Sequence, residues 1–340
     1  MMLKKQIVLL SAFCLTGFLA VNTYAIDDQT RQTITQNLLI QNPSPLLQNP
    51  TIHALAFNAI AQAIEELSNL PFPDENQRLQ AINQLQQGDS SAAIAIYQRL
   101  FDQRQTEGGK SQDEAAMMAK HLASFQLLTD LNQGLATYEQ AAKLSNNARW
   151  WNELGSLYMA NAQLDKAEQA FNQVLALPNG SVDNNALAVA TGSLGHLYWQ
   201  QGDFKRAEPQ FLRSLEINET LNRQAGILLQ YKNLSTLYAK TKEWRKAIPL
   251  YEKLIEHYRS TDAQRELAEQ YSDLAMAYLH LEDFFTAESQ FLKSIEIYQT
   301  LADKAHTAAQ YRRISGLYEM QGKKAEADEA RRKSLALENP

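Results

Sequence analysis

The chain has 340 residues, a formal net charge of −6 and a single cysteine. A mild excess of acidic residues argues against nucleic acid as a partner, because nucleic-acid binding calls for a basic stripe. One cysteine cannot form an internal disulfide, so a small fold held together by disulfides is excluded.

Residues 1–25 are predicted to be a signal peptide that is not part of the fold. Lys4 and Lys5 precede an apolar run from Ile7 to Val21, and Ala25 ends a small-residue cleavage site. Cleavage after Ala25 would make the protein secreted or periplasmic, and removing the two lysines would change its net charge from −6 to −8. An uncleaved membrane anchor is the alternative, although the apolar run is short for a span of about 20 residues.

Residues 26–75 are interpreted as an N-terminal helical segment that caps the first repeat. Apolar residues at helical spacing predict a helix from Thr51 to Leu67, with Thr51 as its N-cap. Prolines interrupt the chain on both sides of this helix, at Asn42-Pro43-Ser44-Pro45, Asn49-Pro50 and Pro71-Phe72-Pro73. A segment that folds against a partner protein or a second copy of the chain is the alternative interpretation.

Residues 76–147 are predicted to form two degenerate helical hairpins. Gln87-Gly88-Asp89, followed by Ala93 and Tyr97, repeats a turn, alanine and aromatic spacing that recurs more clearly downstream. A second hairpin is indicated by Gln133-Gly134, although the spacing to Tyr138 and Ala141 differs.

Residues 148–340 are one sequence unit repeated five times at a spacing of forty residues. The tyrosine column consists of Tyr158, Tyr198, Tyr238, Tyr278 and Tyr318, and the alanine column nine residues later consists of Ala167, Ala207, Ala247, Ala287 and Ala327. A leucine or isoleucine four residues before each tyrosine shares its helical face, and the aromatic residue four after each of the first four alanines shares a second face. Each unit is therefore predicted to be a helical hairpin, and a repeat of this length indicates a solenoid of stacked hairpins.

The repeat resembles the tetratricopeptide repeat. The residues that carry the resemblance are Trp151, Leu154-Gly155, Tyr158, Ala167, Phe171 and Pro178. The usual unit has roughly 34 residues, so a spacing of forty is similar to the extended repeats of kinesin light chain-type adaptors. The resemblance implies an all-α, right-handed superhelix whose concave groove binds a peptide or partner protein. The C-terminal repeat, with Arg331-Arg332-Lys333 in place of apolar residues, is expected to form a polar cap.

In this family the first helix of each hairpin lines the groove. The resemblance therefore implies a partner-binding surface formed by Arg149, Asn152, His196, Trp199, Lys232, Thr236, Lys240, Met276, Arg312 and Arg313. Some tetratricopeptide proteins clamp a C-terminal carboxylate with Lys, Asn, Asn, Lys and Arg. Lys232 and Arg313 match that set, but Thr236, Asp273 and Ala309 replace the others, so such a clamp is not expected here. Each of these side chains could equally be the solvent-facing residue of an amphipathic helix.

No phosphate-binding loop, metal-spaced Cys/His set or nucleophile elbow occurs in the sequence. We therefore predict an exported scaffold or adaptor that binds a peptide or protein without catalysis and without a cofactor. Two alternatives remain open. The chain could be a structural subunit that self-assembles as a homo-oligomer, or an enzyme with an unrecognised site in residues 26–110. Contact with a membrane is expected only through an uncleaved signal segment.

Overall fold

The computed structural model describes residues 28–41, 50–69, 75–107, 111–178 and 182–338. All regular elements in these ranges are helices, which confirms the predicted all-α fold. The predicted signal peptide and the proline pairs at 42–45 and 71–73 lie outside the described residues. The chain divides into two compact units, Met1–Ser145 (unit 1) and Asn146–Pro340 (unit 2).

Unit 1 contains six helices within its described residues. They are α1 (Asp28–Gln41), α2 (Pro50–Asn69), α3 (Glu75–Gln86), α4 (Ser91–Glu107), α5 (Ser111–Thr129) and α6 (Leu131–Ser145). The predicted N-cap at Thr51 is wrong, because α2 begins one residue earlier, at Pro50. Proline suits the first helical position, since its missing N–H would have no partner there.

The turn between α3 and α4 lies at Gly88, which has a φ of 84°. Gly134, by contrast, is not at a turn. It lies in the first turn of α6, where an added Cβ would come within 2.6 Å of the Leu127 backbone nitrogen of α5. The spacing was misread because this glycine permits close packing of two helices and does not reverse the chain.

Unit 2 consists of ten helices arranged as five consecutive hairpins. They are α7 (Ala148–Ala160) with α8 (Leu164–Ala176), α9 (Asn184–Gln200) with α10 (Phe204–Thr220), α11 (Gln224–Lys240) with α12 (Trp244–Arg259), α13 (Gln264–His280) with α14 (Phe284–Thr300), and α15 (Lys304–Met320) with α16 (Lys324–Glu338). The hairpins stack in sequence order as an α-solenoid. The alanine column is buried in all five, and the tyrosine column is buried in the first three and partly buried in the last two.

The turn inside each hairpin has the same backbone conformation. Its second residue has positive φ in all five hairpins, at Ala162, Gly202, Lys242, Glu282 and Gly322. The N–H of the residue that follows donates to the carbonyl of the column tyrosine, for example Asp203 N to Tyr198 O at 2.9 Å. This bond satisfies a carbonyl at the end of the first helix that would otherwise have no partner.

Small residues allow the two helices of a hairpin to approach closely. A Cβ added at Gly155 would lie 2.4 Å from the ring of Phe171, and one added at Gly195 would lie 2.5 Å from the ring of Phe211. Ala275 takes the same repeat position in the fourth hairpin and packs in one cluster with Phe291. The aromatic ring therefore fills the space that the small residue leaves open.

Candidate ligand-binding groove

The first helices of the second and third hairpins border a small cleft, here called the α9–α11 cleft. It has a volume of about 130 Å³ and is lined by His196, Trp199, Phe211, Asn233 and Thr236. The helical period places His196 and Trp199 on one face of α9 and Asn233 and Thr236 on the facing side of α11. The buried ring of Phe211 closes the bottom of the cleft.

Trp199 and His196 form an aromatic wall on one side of this cleft. Their rings stack with centroids 5.9 Å apart and planes inclined by 13°. Burial lowers the pKa of the His196 imidazole, which favours the neutral ring. The buried Nε1–H of Trp199 has no hydrogen-bond acceptor within the described residues. Because this nitrogen is shielded from solvent, a ligand carbonyl could accept from it only if the indole turned toward the cleft.

Two exposed aliphatic side chains extend this surface toward the start of α9 and α11. Val189 is 42% exposed and Leu229 is 54% exposed. They are forty residues apart and occupy the same repeat position. Sequence reasoning did not include them, although the column that begins at Arg149 contains both. Together with the cleft they form an apolar strip on two adjacent helices, a surface that suits the side chains of an extended ligand.

The predicted cations have different surroundings. Lys232 is exposed and its Nζ lies 5.4 Å from the centre of the Tyr258 ring, while Lys240 is exposed at the end of α11. Arg149 pairs with Glu153 at 3.0 Å, one turn along the same helix. Arg312 pairs with Glu338 of the last helix at 2.9 Å.

Asn152 was predicted to line the partner-binding groove, but its side chain is buried between two hairpins. Its side chain is only 6% exposed, and its Nδ2 donates to the carbonyl of Ala186 at 2.9 Å. The amide therefore joins the first hairpin to the second.

Two other predicted groove residues are accessible. Met276 is half-buried on α13, and Thr236 is exposed in the α9–α11 cleft.

Arg313 takes part in a polar network between α13 and α15. Its Nη1 donates to the Ser272 hydroxyl, which in turn donates to Gln310 Oε1 at 2.8 Å. Protein surrounding Asp273 raises the pKa of its carboxyl to about 6, against the opposing charge of Arg313. When ionised, this carboxyl would repel a ligand carboxylate.

The described part of the chain has neither a metal-binding cluster nor a membrane-spanning helix. No group of three or more His, Cys, Asp or Glu side chains there is arranged to hold a metal ion. Over the same residues, no helix is both long enough and apolar enough to cross a membrane.

Family models of the tetratricopeptide repeat match residues 146–220 and residues 267–306. Among solved structures, the chain is similar to the apo form of RapI, with a TM-score of 0.55 and 11% identity over 83% of this chain and 76% of RapI. It is also similar to BtubC from P. vanneervenii, with a TM-score of 0.47 and 18% identity over 62% of this chain and 91% of BtubC. No curated protein matches the sequence. At these identities the structural likeness concerns the fold alone.

Proposed function

This chain is a tetratricopeptide-repeat protein, a class of protein-interaction scaffold, and on that premise we propose that unit 2 binds an extended peptide segment along its first helices. The observation that carries the proposal is the α9–α11 cleft. An apolar wall, an indole N–H without an acceptor and an exposed lysine lie on two adjacent helices. Apolar anchors with a few placed polar groups are typical of peptide-binding surfaces.

The chemistry of the cleft describes the ligand. An apolar side chain fits between Trp199 and Thr236, and a backbone carbonyl can accept from the indole. Lys232 and Lys240 favour an acidic residue or a terminal carboxylate nearby. Val189 and Leu229 extend the apolar contact, so the ligand is a segment of several residues and not a single small molecule.

The test begins with a display library of random peptides selected on the full-length chain, followed by affinity measurements on the enriched peptides. The variant Trp199→Ala/Lys232→Ala/Lys240→Ala should lower their affinity at least about tenfold, equivalent to about 1.4 kcal/mol. The exposed Lys232 and Lys240 should contribute little to stability, since solvent-facing substitutions usually change it by no more than about 0.5 kcal/mol. Trp199 is partly buried, so circular dichroism and thermal melting should confirm that the variant is folded before its affinity is measured.

The matched control is Leu212→Ala/Arg213→Ala/Arg223→Ala, which also removes one apolar side chain and two cations from exposed positions. It should leave the affinity unchanged. If the folded groove variant binds as tightly as the control, the ligand does not use the first helices and the proposal fails.

We also propose that the protein is exported. The proposal rests on the Lys4-Lys5 pair, the apolar run and Ala25. The mature chain should then begin at Ile26 and be recovered free of membrane. Mass spectrometry showing an intact Met1 in a membrane-bound protein would replace this proposal by an uncleaved anchor.

A further inference from the structure

The turns that join the first and second helices of the hairpins form a second surface of unit 2, here called the turn edge. At this edge an aromatic residue begins the second helix in three consecutive hairpins: Phe204, Trp244 and Phe284. All three are partly exposed. Trp244 stacks on His280, with ring centroids 4.2 Å apart and planes inclined by 7°. The edge therefore presents partly exposed aromatic side chains at a spacing of one hairpin.

Neighbouring turns share a shallow depression. It has a volume of about 480 Å³ and is lined by Gln201, Gly202, Asp203, Phe204 and Lys205 of one turn and by Thr241 of the next. Side chains that flank these two turns therefore lie along one continuous surface.

The acidic side chains of this surface are already paired. Asp203 Oδ2 is 2.6 Å from Arg206 Nε, and its Oδ1 accepts from the Arg206 backbone. Glu243 Oε2 is 2.7 Å from Lys246 Nζ, and its Oε1 accepts from Thr241. Both carboxylates of the two turns therefore already have a cation partner.

Three other cations lie on the same turns and are exposed: Lys205, Lys242 and Arg245. Within the described residues, none of the three forms an ion pair with a carboxylate. Arg206 and Lys246 also pair with Glu168 and Glu208, so the five cations of the two turns lie near four carboxylates. A small local excess of positive charge thus lies beside the aromatic residues, in a protein whose formal net charge is −6. Such a patch attracts anionic groups and orients them as they approach.

We propose that the turn edge of the second and third hairpins is a separate docking surface for an acidic polypeptide segment that carries apolar side chains. The cations take the carboxylates, and Phe204 and Trp244 take the apolar side chains. This surface lies at the turns and not in the α9–α11 cleft, so the inference does not depend on the proposed function. A polypeptide suits the edge better than nucleic acid, because only three unpaired cations flank aromatic surfaces and the chain as a whole is acidic.

The probe is a short fluorescein-labelled peptide in which Asp and Glu alternate with Leu and Phe, titrated with the full-length chain by fluorescence anisotropy. Binding is expected, and it should weaken as sodium chloride is added. The variant Lys205→Gln/Lys242→Gln/Arg245→Gln should lower the affinity at least about tenfold. The control Arg213→Gln/Arg223→Gln/Arg332→Gln removes the same charge from exposed positions elsewhere and should change the affinity by less than about twofold.

Two further arms separate this surface from the cleft and from other ligands. Because an acidic peptide with apolar side chains also fits the α9–α11 cleft, the edge substitutions are repeated in the Trp199→Ala/Lys232→Ala/Lys240→Ala background, where the probe should still bind and the three edge substitutions should still lower its affinity at least about tenfold. A peptide with Lys and Arg in place of the acidic residues should not bind the wild-type chain. If the edge variant and the control lose the same affinity for the probe, binding depends on net charge alone and the proposal fails. It also fails if the acidic probe does not bind the wild-type chain. Tighter binding of single-stranded DNA or of phosphatidylserine vesicles through the same three cations would overturn the assignment to a polypeptide.

Discussion

The Tyr238 hydroxyl donates to Glu208 Oε1 at 2.8 Å, which ties α11 of the third hairpin to α10 of the second. Lys246 Nζ contacts the same carboxylate at 3.1 Å and lies 4.9 Å from the centre of the tyrosine ring. Burial and the neighbouring carboxylate raise the pKa of Tyr238 to about 12. Two other boundaries repeat this contact, through Tyr198 with Glu168 and Tyr318 with Glu288. In these three hairpins the tyrosine ring packs within its own hairpin, and its hydroxyl hydrogen-bonds to the preceding hairpin.

Tyr238→Phe should destabilise unit 2 by about 1–2 kcal/mol, because it leaves a partly buried carboxylate without its hydroxyl donor. Tyr278→Phe is the matched control, since Ile248 stands where the carboxylate would be. Urea unfolding followed by tryptophan fluorescence reports on unit 2, which contains all four tryptophans. Equal destabilisation by the two substitutions would show that the hydroxyl contributes nothing between hairpins.

Ala207→Leu should destabilise unit 2 by roughly 1–3 kcal/mol, because Ala207 is fully buried and the added atoms have no space. The loss should spread to adjoining hairpins, since stacked repeats stabilise one another. Ala325→Leu, at an exposed position of α16, is the control and should change the melting temperature little. An unchanged midpoint for Ala207→Leu would mean that the repeat register is assigned incorrectly.

Glu282→Gly should stabilise unit 2 by about 0.5–1 kcal/mol. Glu282 has a φ of 63°, and a positive φ is less favourable for a residue with a Cβ atom than for glycine. Gly202→Ala is the converse test. Its φ is 75°, and an added Cβ would meet no atom within 4 Å, so any loss of stability comes from the backbone alone. Thermal unfolding of both variants should give opposite shifts, and shifts of the same sign would contradict this account.

Unit 1 contains a buried histidine that should make its stability depend on pH. His121 is 1% exposed, and its Nδ1 lies 3.1 Å from Glu66 Oε2. Burial, together with the nearby charge of Lys120, lowers the pKa of His121 to about 3. The ring of Tyr97 packs against it with centroids 5.3 Å apart. Burial also raises the pKa of Glu66.

Because the folded state holds His121 neutral, its contribution to stability is fully present above the unfolded pKa of about 6.5. It should be lost as the pH falls from about 6.5 toward 3, while the raised pKa of Glu66 offsets part of this loss at the lower end. Melting of the full chain should therefore show an acid-sensitive loss of helicity by circular dichroism. The tryptophan signal, which reports on unit 2, should not share it. His121→Gln should flatten this dependence, and an unchanged pH profile would rule out His121 as its source.

The forty-residue register predicted the hairpins of unit 2 and their turns, because a repeat that buries the same column in each copy has little freedom in its backbone. The link between Tyr238 and Glu208 was also present in the sequence, as a carboxylate after the alanine of most repeats. It was missed because a spacing of thirty residues becomes a contact only once the stacking of the hairpins is known.

The groove was harder to predict, since a column fixes the direction of a side chain but not its neighbours. Asn152 lies in a groove column, yet it is buried because the adjacent hairpin offers the carbonyl of Ala186. Arg312 pairs with Glu338 of the following helix, a contact that cannot be predicted before the packing of the two helices is known. In unit 1, Gly134 was misread because a glycine that permits close packing and a glycine that reverses the chain look the same in a sequence.

The claim that a peptide binds along the first helices of unit 2 is tested most directly by photo-crosslinking. A photoreactive phenylalanine analogue is introduced at Thr236, in the α9–α11 cleft, or at Arg213, on the second helix α10. Each protein is irradiated with a peptide enriched by display. The peptide should crosslink at position 236 and not at position 213. Crosslinking at position 213 alone would contradict it.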